Sequence, residues 1–399
     1  MRDVYVIDAI RTPIGRYGGG LSSVRPDDLA AHVIKTLIER NPNLNLDDIE
    51  DVVFGAANQA GEDNRNVARM AGLMAGLPES VGGVTVNRLC ASGLQAIMDA
   101  SRSIMIGEAG IYIAGGVESM SRAPFVMAKS DTAFNRVPKM YDTTIGWRFI
   151  NDKLSQKHYP YAMGETAENV AQKYGITRQE QDDFAYTTQQ KYKKAFETGK
   201  FKEEIVAVSI PQRKGEPRVI DTDEHPRPET PREKLGTLKA AFKKDGTVTA
   251  GNASGVNDGA AALILADKIT VDKLGIKPLA KVKSMAIAGV DPAVMGIGPV
   301  PASKKAIARA GLSVSDIDLW ELNEAFAAQS IACIRDLDID QNRVNVNGGA
   351  IALGHPLGCS GARIATTLLY EMKRTNAKYG CATMCIGVGQ GAAVVFESL

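Results

Sequence analysis

Two cysteines and one histidine stand where reactive groups would be expected. In NRLCASGLQAIMDA, Cys90 falls between a β-rich run at Val84–Asn87 and a helical pattern continuing through Gly107. A thiol at a helix N-terminus feels the positive end of the macrodipole, which favours the thiolate. This strand–turn–helix placement is like that of a hydrolase nucleophile elbow, with cysteine in the serine's role. The alternative is a small buried filler, since free cysteine is among the most buried residue types. In NGGAIALGHPLGCSGAR (347–363), His355 stands among Gly354, Gly358 and Gly361. Such surroundings suit an imidazole facing a ligand that also touches main chain; a satisfied core or surface histidine is the alternative. Cys359 reads as structural. In CATMCIGVGQGAAVVFE, Cys385 follows a strand and precedes Gly387, Gly389 and Gly391, whose N–H groups are the material of an oxyanion hole. A metal pair at Cys381 and Cys385 is the competing reading. No second CxxC and no clustered histidines accompany it, so no metal is expected.

Two further segments are weaker signals. WELNEAFAAQS (320–330) places Asn323 and Glu324 where a helix follows a strand, so that an amide could cap the helix or hold a water. TAGNASGVNDGAAALIL (249–265) is a glycine–serine turn leading into an apolar strand, a turn able to meet a ligand through backbone groups.

The elements that must position these residues alternate from the start. Val4–Ala9, Asp51–Phe54, Val84–Asn87 and Ile111–Ala114 read as strands, with helical spacing over Pro26–Glu39 and Glu62–Ala75. This βαβα rhythm predicts an α/β fold with a largely parallel sheet covered by helices. From about Ala123 to Lys244 the rhythm stops; the segment is polar, with helical stretches at Thr166–Tyr174 and Gln179–Phe196. After Gly251 the α/β pattern returns, and it repeats the first. VTVN at 84–87 is answered by VNVN at 344–347, Cys90-Ala-Ser-Gly by Cys359-Ser-Gly, and DDIEDVVFG by SDIDLWELN. The expected organisation is a first half at 1–122 plus about 245–272, an inserted helical and loop domain at 123–244, and a second half at 273–399. The two duplicated halves would stack as a five-layer αβαβα body.

Composition agrees with a soluble globular protein: 44% hydrophobic, 23% charged, 6% aromatic, with 39 glycines in 399 residues. A net charge of +1 argues against a nucleic-acid binder. Asp3, Asp8 and Arg11 interrupt the N-terminal apolar run, so neither a signal peptide nor an anchor is expected, and no stretch is apolar enough to span a membrane. Five sparse cysteines fit a reducing compartment, the cytoplasm.

Taken together, the motifs resemble the thiolase family from residue 1 to 399. GGVESMSRAP (115–124), MGETAEN (163–169), GNASG, NEAF, GGAIALGHPLG and CIGVGQG are all similar to family motifs, in the family's order. The resemblance implies a five-layer thiolase fold and acyl transfer between coenzyme A thioesters. It implies Cys90 as the nucleophile that carries the acyl group, and His355 as its base and part of one oxyanion site with a water held by Asn323. It further implies Cys385 as a second acid/base and the N–H groups of Cys90 and Gly387 as the other oxyanion site. Met163, Arg227, Phe242, Ala250, Ser254, Ala325 and Phe326 occupy positions like those that contact coenzyme A. Nine Lys/Arg against six Asp/Glu in 213–244 agree with a phosphate-bearing ligand, though a solvated surface is the alternative for most of them. Coenzyme A is thus expected as a substrate, with no tightly bound cofactor, and a homodimer or homotetramer is expected.

The chain departs from many members at Ala162-Met163, where histidine often precedes the methionine, and at Gly387-Val388-Gly389, where three glycines are common. The latter, with ANQAGEDNRNVARMA (57–71) and YDTTIGWRF (141–149), looks like the 3-oxoadipyl-CoA thiolase branch of aromatic catabolism. Arg65, Arg69 or Arg148 would then receive the distal carboxylate. A general 3-ketoacyl-CoA or acetoacetyl-CoA thiolase is the alternative within the family, and a non-catalytic lipid or coenzyme A binder the alternative outside catalysis. A ketosynthase would need two histidines in the second half, and after residue 225 only His355 remains.

Overall fold

A computed structural model describes residues 1–399. Nine strands and eight helices carry the argument. In the N-terminal part these are β1 (Val4–Arg11), α1 (Pro26–Arg40), β2 (Ile49–Gly55), α2 (Val67–Met74), β3 (Gly82–Val86), α3 (Ser92–Ile106) and β4 (Ile111–Ser119). Two longer helices, α4 (Met163–Tyr174) and α5 (Arg178–Glu197), follow before β5 (Asn257–Asp267). The C-terminal part consists of β6 (Ala280–Gly289), α6 (Pro299–Arg309), β7 (Leu319–Leu322), α7 (Ala327–Leu337), α8 (Leu357–Thr375), β8 (Tyr379–Ile386) and β9 (Gln390–Glu397).

The strands run in the order β7-β8-β9-β6-β1-β5-β4-β2-β3. Outward from the β1·β6 junction the two halves mirror each other, β1-β5-β4-β2-β3 against β6-β9-β8-β7, so the internal repeat is a structural duplication. Even VNVN keeps its place: Val344 bridges Trp320 in parallel, as β3 pairs β2. The junction itself is slight, only Tyr5 with Lys281 and Val6 with Ala280 in register.

Strand direction differs from the largely parallel expectation. Only β2·β3, β2·β4 and β7·β8 are parallel. The pairs β1·β5, β5·β4, β6·β9 and β8·β9 are antiparallel. In each half the last strand inserts between the first strand and the helix-connected ones, which reverses its neighbours.

Burial explains the layers. Along β5, Ala261, Leu263 and Leu265 face one core while Ala260, Ala262, Ile264 and Ala266 face another, as alternating side chains must. The inner core gathers α3 and α8 between the two half-sheets, with Leu94, Ile97, Ile364 and Leu368 among its members. The outer faces are covered by α1 and α2 on the first half and by α6 and α7 on the second. That is the αβαβα order. Strand β4 and the central helices meet at glycines: a Cβ on Gly116 in β4 would fall 2.0 Å from the Gly358 carbonyl in α8, and one on Gly93 in α3 2.7 Å from it. The helix expected over Glu62–Ala75 forms only from Val67, because Asn64 and Arg65 take left-handed backbone at φ +46° and +67°. No helix is long and apolar enough to cross a membrane.

Candidate active site

Cys90 lies in a one-turn 3-10 segment, Leu89–Ala91, between β3 and α3. Leu89 adopts φ +49°, a conformation costing an L-residue about 1–2 kcal/mol. Side chains hold the turn in place. The Ser92 hydroxyl donates to the Leu89 carbonyl (2.6 Å) and accepts from the Arg88 N–H (2.9 Å). Asn87 accepts from the Leu89 N–H (2.8 Å) and donates to the Ala57 carbonyl (2.9 Å). Of the five free cysteines, Cys90 alone keeps some exposure.

Burial against the inner core pushes the Cys90 thiol up to about 11, although the Gly387 N–H and its own N–H pull it back. The charge of Glu118 adds to the rise. A standing thiolate, expected from the helix N-terminus, is therefore not what the fold provides. Desolvation outweighs the dipole, so the sulfur becomes strongly nucleophilic only on losing its proton.

His355 follows Gly354, whose φ of +103° only glycine adopts readily. Its backbone N–H donates to Asn257 Oδ1 (2.9 Å), and Asn257 donates in turn to the Gly15 carbonyl (2.9 Å). On the ring, Nδ1 lies 2.6 Å from the Ser360 hydroxyl, which donates its own hydrogen to the Pro356 carbonyl (2.8 Å). Nδ1–H is then the donor and Nε2 holds the lone pair. Burial, and then the positive charge of Arg363, hold this imidazole down to about 3, so it is neutral at physiological pH. A neutral ring whose Nε2 keeps its lone pair can take a proton.

Asn323 places its side-chain nitrogen 3.4 Å from His355 Nε2 and 3.5 Å from Nδ1. Its Oδ1 is buried with no partner in the protein, an acceptor left for a ligand or water. Neither Asn323 nor Glu324 caps a helix, since α7 begins three residues after Glu324 with Phe326 at its N-cap. Glu324 instead accepts from Asn345 Nδ2 (2.7 Å), Thr188 Oγ1 (3.0 Å) and the Ile351 N–H (3.2 Å), fixing the loop that leads to His355.

Cys385 is the penultimate residue of β8, buried in a cluster with Ala167, Val248, Ala253, Ala325 and Phe326, against which Met163 packs. Burial and then the nearby Cys90 sulfur push its thiol well above the ordinary range. The same cluster brings together most of the residues matched to coenzyme A contacts. Phe242 meets Phe326 edge-on at 6.1 Å, and the Ser254 N–H donates to the Ala325 carbonyl (3.0 Å). Ala250 is exposed on the turn just before. Arg227 stands apart, its guanidinium donating to the carbonyls of Glu224, His225 and Pro226 in its own loop.

Among the arginines considered for a distal carboxylate, Arg69 is engaged by the carbonyls of Val81 and Glu79. Arg65 is exposed and Arg148 half-buried, and neither makes an ion pair or side-chain hydrogen bond. No group of three or more His, Cys, Asp or Glu side chains is placed to hold a metal ion. Sequence reasoning missed Asn257, Ser360 and Glu118 as supports of the site. Of these only Ser360, five residues after His355, offered a local signal.

Residues 4–268 match the thiolase N-terminal domain and 276–398 the thiolase C-terminal domain. The chain is 57% identical over 399 residues to a beta-ketoadipyl-CoA thiolase of Acinetobacter baylyi, covering all of both chains. It is 56% identical, again over the full length of both, to the 3-oxoadipyl-CoA/3-oxo-5,6-dehydrosuberyl-CoA thiolase of Escherichia coli K12. Among solved structures, human mitochondrial 3-ketoacyl-CoA thiolase in complex with CoA superposes with a TM-score of 0.93 at 42% identity, covering 100% of this chain and 98% of that one.

Proposed function

The chain belongs to the thiolase family of acyltransferases, and on that premise we propose that it cleaves 3-oxoadipyl-CoA with coenzyme A to give succinyl-CoA and acetyl-CoA. Coenzyme A enters as a substrate. Cys90 gives its proton to His355 Nε2 and its sulfur attacks the 3-oxo carbon. The C2–C3 bond breaks, leaving the succinyl group on Cys90 as a thioester and a carbanion on acetyl-CoA. Cys385 protonates that carbanion. Free coenzyme A then gives its thiol proton to the Cys385 thiolate as its sulfur attacks the thioester, and Cys90 leaves with the proton returned by His355. Two thiols are needed because acyl carriage and proton transfer at carbon are separate tasks.

The observation carrying this reading is the meeting of the two halves at one sulfur. Gly387 packs against Leu89 beside Cys90, its N–H lowers the Cys90 thiol, and the Cys90 sulfur raises the Cys385 thiol. Negative charge on the oxygen of the attacked 3-oxo carbon would find the N–H groups of Cys90 and Gly387, and charge on the enolate oxygen of the departing acetyl-CoA would find the Asn323–His355 pair. Met163, Phe242, Ala250, Ser254, Ala325 and Phe326 form the bed proposed for coenzyme A, with Arg227 offering charge at its outer end.

The wider organisation follows the same reading. We take 1–122 with about 245–272 as the N-terminal half, 123–244 as the inserted coenzyme A-binding domain, and 273–399 as the C-terminal half. A homodimer or homotetramer is supported by apolar side chains left open at Phe125, Met127, Phe134, Val137 and Met140. Five free thiols suit the cytoplasm.

The substrate assignment rests on the named relatives and on Arg148, the half-buried cation left unpaired. The test compares kcat/KM on 3-oxoadipyl-CoA and on 3-oxohexanoyl-CoA, which lacks the terminal carboxylate. Wild type should favour the former, and Arg148→Gln should lose that preference while keeping the latter activity. Equal efficiency in wild type would leave a general 3-ketoacyl-CoA thiolase as the reading.

A further inference from the structure

Glu118, the penultimate residue of β4, is 3% exposed and has no cation within ion-pair distance. Three backbone N–H groups hold its carboxylate: Ala57 at 2.9 Å, Asn58 at 3.0 Å and Gly358 at 2.7 Å. These donors come from both halves of the molecule. Ala57 and Asn58 follow β2. Gly358 lies in the first turn of α8, three residues after His355, where the helix N-terminus favours an anion.

Each donor leads directly to the chemistry. The Ala57 carbonyl accepts from Asn87 Nδ2 (2.9 Å), and Asn87 Oδ1 holds the Leu89 N–H (2.8 Å), the residue before Cys90. On the other side, Pro356 and Leu357 alone separate Gly358 from His355. We propose that Glu118 is a positioning residue for acyl transfer, one carboxylate gripping the Cys90 turn and the His355 loop together. This rests on the assignment of Cys90 and His355 as nucleophile and base.

A carboxylate is the group that fits. It accepts all three N–H groups at once, whereas an amide would turn a donor towards at least one of them. Burial pushes the Glu118 carboxyl up to about 7, the three N–H groups pull it back, and Asp63 is the other charge that raises it. Its field reaches Cys90, whose thiol it raises. Glu118 therefore has a signature at the sulfur that a purely architectural residue lacks.

The test uses full-length Glu118→Gln and Glu118→Asp with two readouts. For thiolysis of acetoacetyl-CoA, the Gln variant should lose roughly ten- to a hundred-fold in kcat with little change in KM, as expected when reacting groups are displaced. The Asp variant should recover part of that loss. For iodoacetamide labelling of Cys90, followed by peptide mass spectrometry, the pH midpoint should move down in Gln and stay near wild type in Asp. A Gln variant with wild-type kcat and an unmoved midpoint would overturn the proposal. So would failure of both variants to fold, which would assign Glu118 to stability alone. If wild-type enzyme labelled at Cys90 still turned over, the assignment of the site itself would fall, whatever Glu118 did.

Discussion

The backbone N–H of Gly387 acts on the sulfur of Cys90 and draws its thiol down, so the proposed nucleophile carried by one half is tuned by a group from the other. Each side of that contact bears a left-handed, non-glycine residue: Leu89 at φ +49° before Cys90 and Val388 at φ +63° after Gly387. The two turns also touch, since a Cβ on Gly387 would lie 3.2 Å from the Leu89 side chain. Duplication supplies the scaffold, and these two strained turns bring its halves to one point.

Cys90 should be a slow nucleophile in the free enzyme. Burial sets its thiol near 11, so at pH 7 only a small fraction is thiolate. Iodoacetamide labelling should accelerate about tenfold per pH unit from 7 towards 10. The other four cysteines are buried and should stay unlabelled in folded protein. A labelling rate that is flat over this range would show a preformed thiolate.

The Asn323–His355 contact predicts a charge effect. His355 is held near 3, below its ordinary 6.5, so the folded state resists protonation. Its neutral form supports stability above about 6.5, and that support fades as pH falls towards 3. Asn323→Asp would put a carboxylate within 3.5 Å of the ring and raise its affinity for a proton. With only four histidines in the chain, NMR titration should show one imidazole moving up. Thiolysis should fall about a hundredfold, and an acid limb absent from wild type should appear in its pH profile.

The reactive residues were legible because each stands beside glycine where one kind of element gives way to another. Cys90, His355 and Cys385 are marked in this way within a dozen residues of local sequence. Strand positions were legible too, from β-branched runs such as Val52–Phe54. What could not be read depends on partners far along the chain. Glu118 looks like any charged residue in GGVESMS until Ala57 and Gly358 close on it. The antiparallel pairing of β5 with β1 and β4 follows from where β5 inserts, which no local period encodes. The pKa of Cys90 was misjudged for the same reason: the dipole is local, but the burial that outweighs it comes from both halves.

Val388→Gly should stabilise the protein. The turn Gly387–Gly389 needs positive φ at both Val388 and Gly389, and a β-branched residue is poorly suited to that conformation. Val388 is 39% exposed, so little packing is lost with its side chain. A gain of about 1 kcal/mol is expected, seen as a higher thermal midpoint. An unchanged or lower midpoint would mean that the isopropyl group makes contacts worth as much as the strain.

Gly164→Ala should act on coenzyme A before it acts on folding. A Cβ at position 164 would fall 2.0 Å from the Phe242 ring. Phe242 is 43% exposed and can swing outward, so the fold should survive with a small loss of stability. The swing would break its edge-on contact with Phe326 and move an aromatic wall of the proposed coenzyme A bed. Cys90 and His355 owe none of their hydrogen bonds to Phe242, so acylation should persist. KM for coenzyme A should rise roughly tenfold, equivalent to about 1.4 kcal/mol of lost binding, with kcat changing much less. A fall in kcat at unchanged KM would place Phe242 with the catalytic turns and outside the coenzyme A bed.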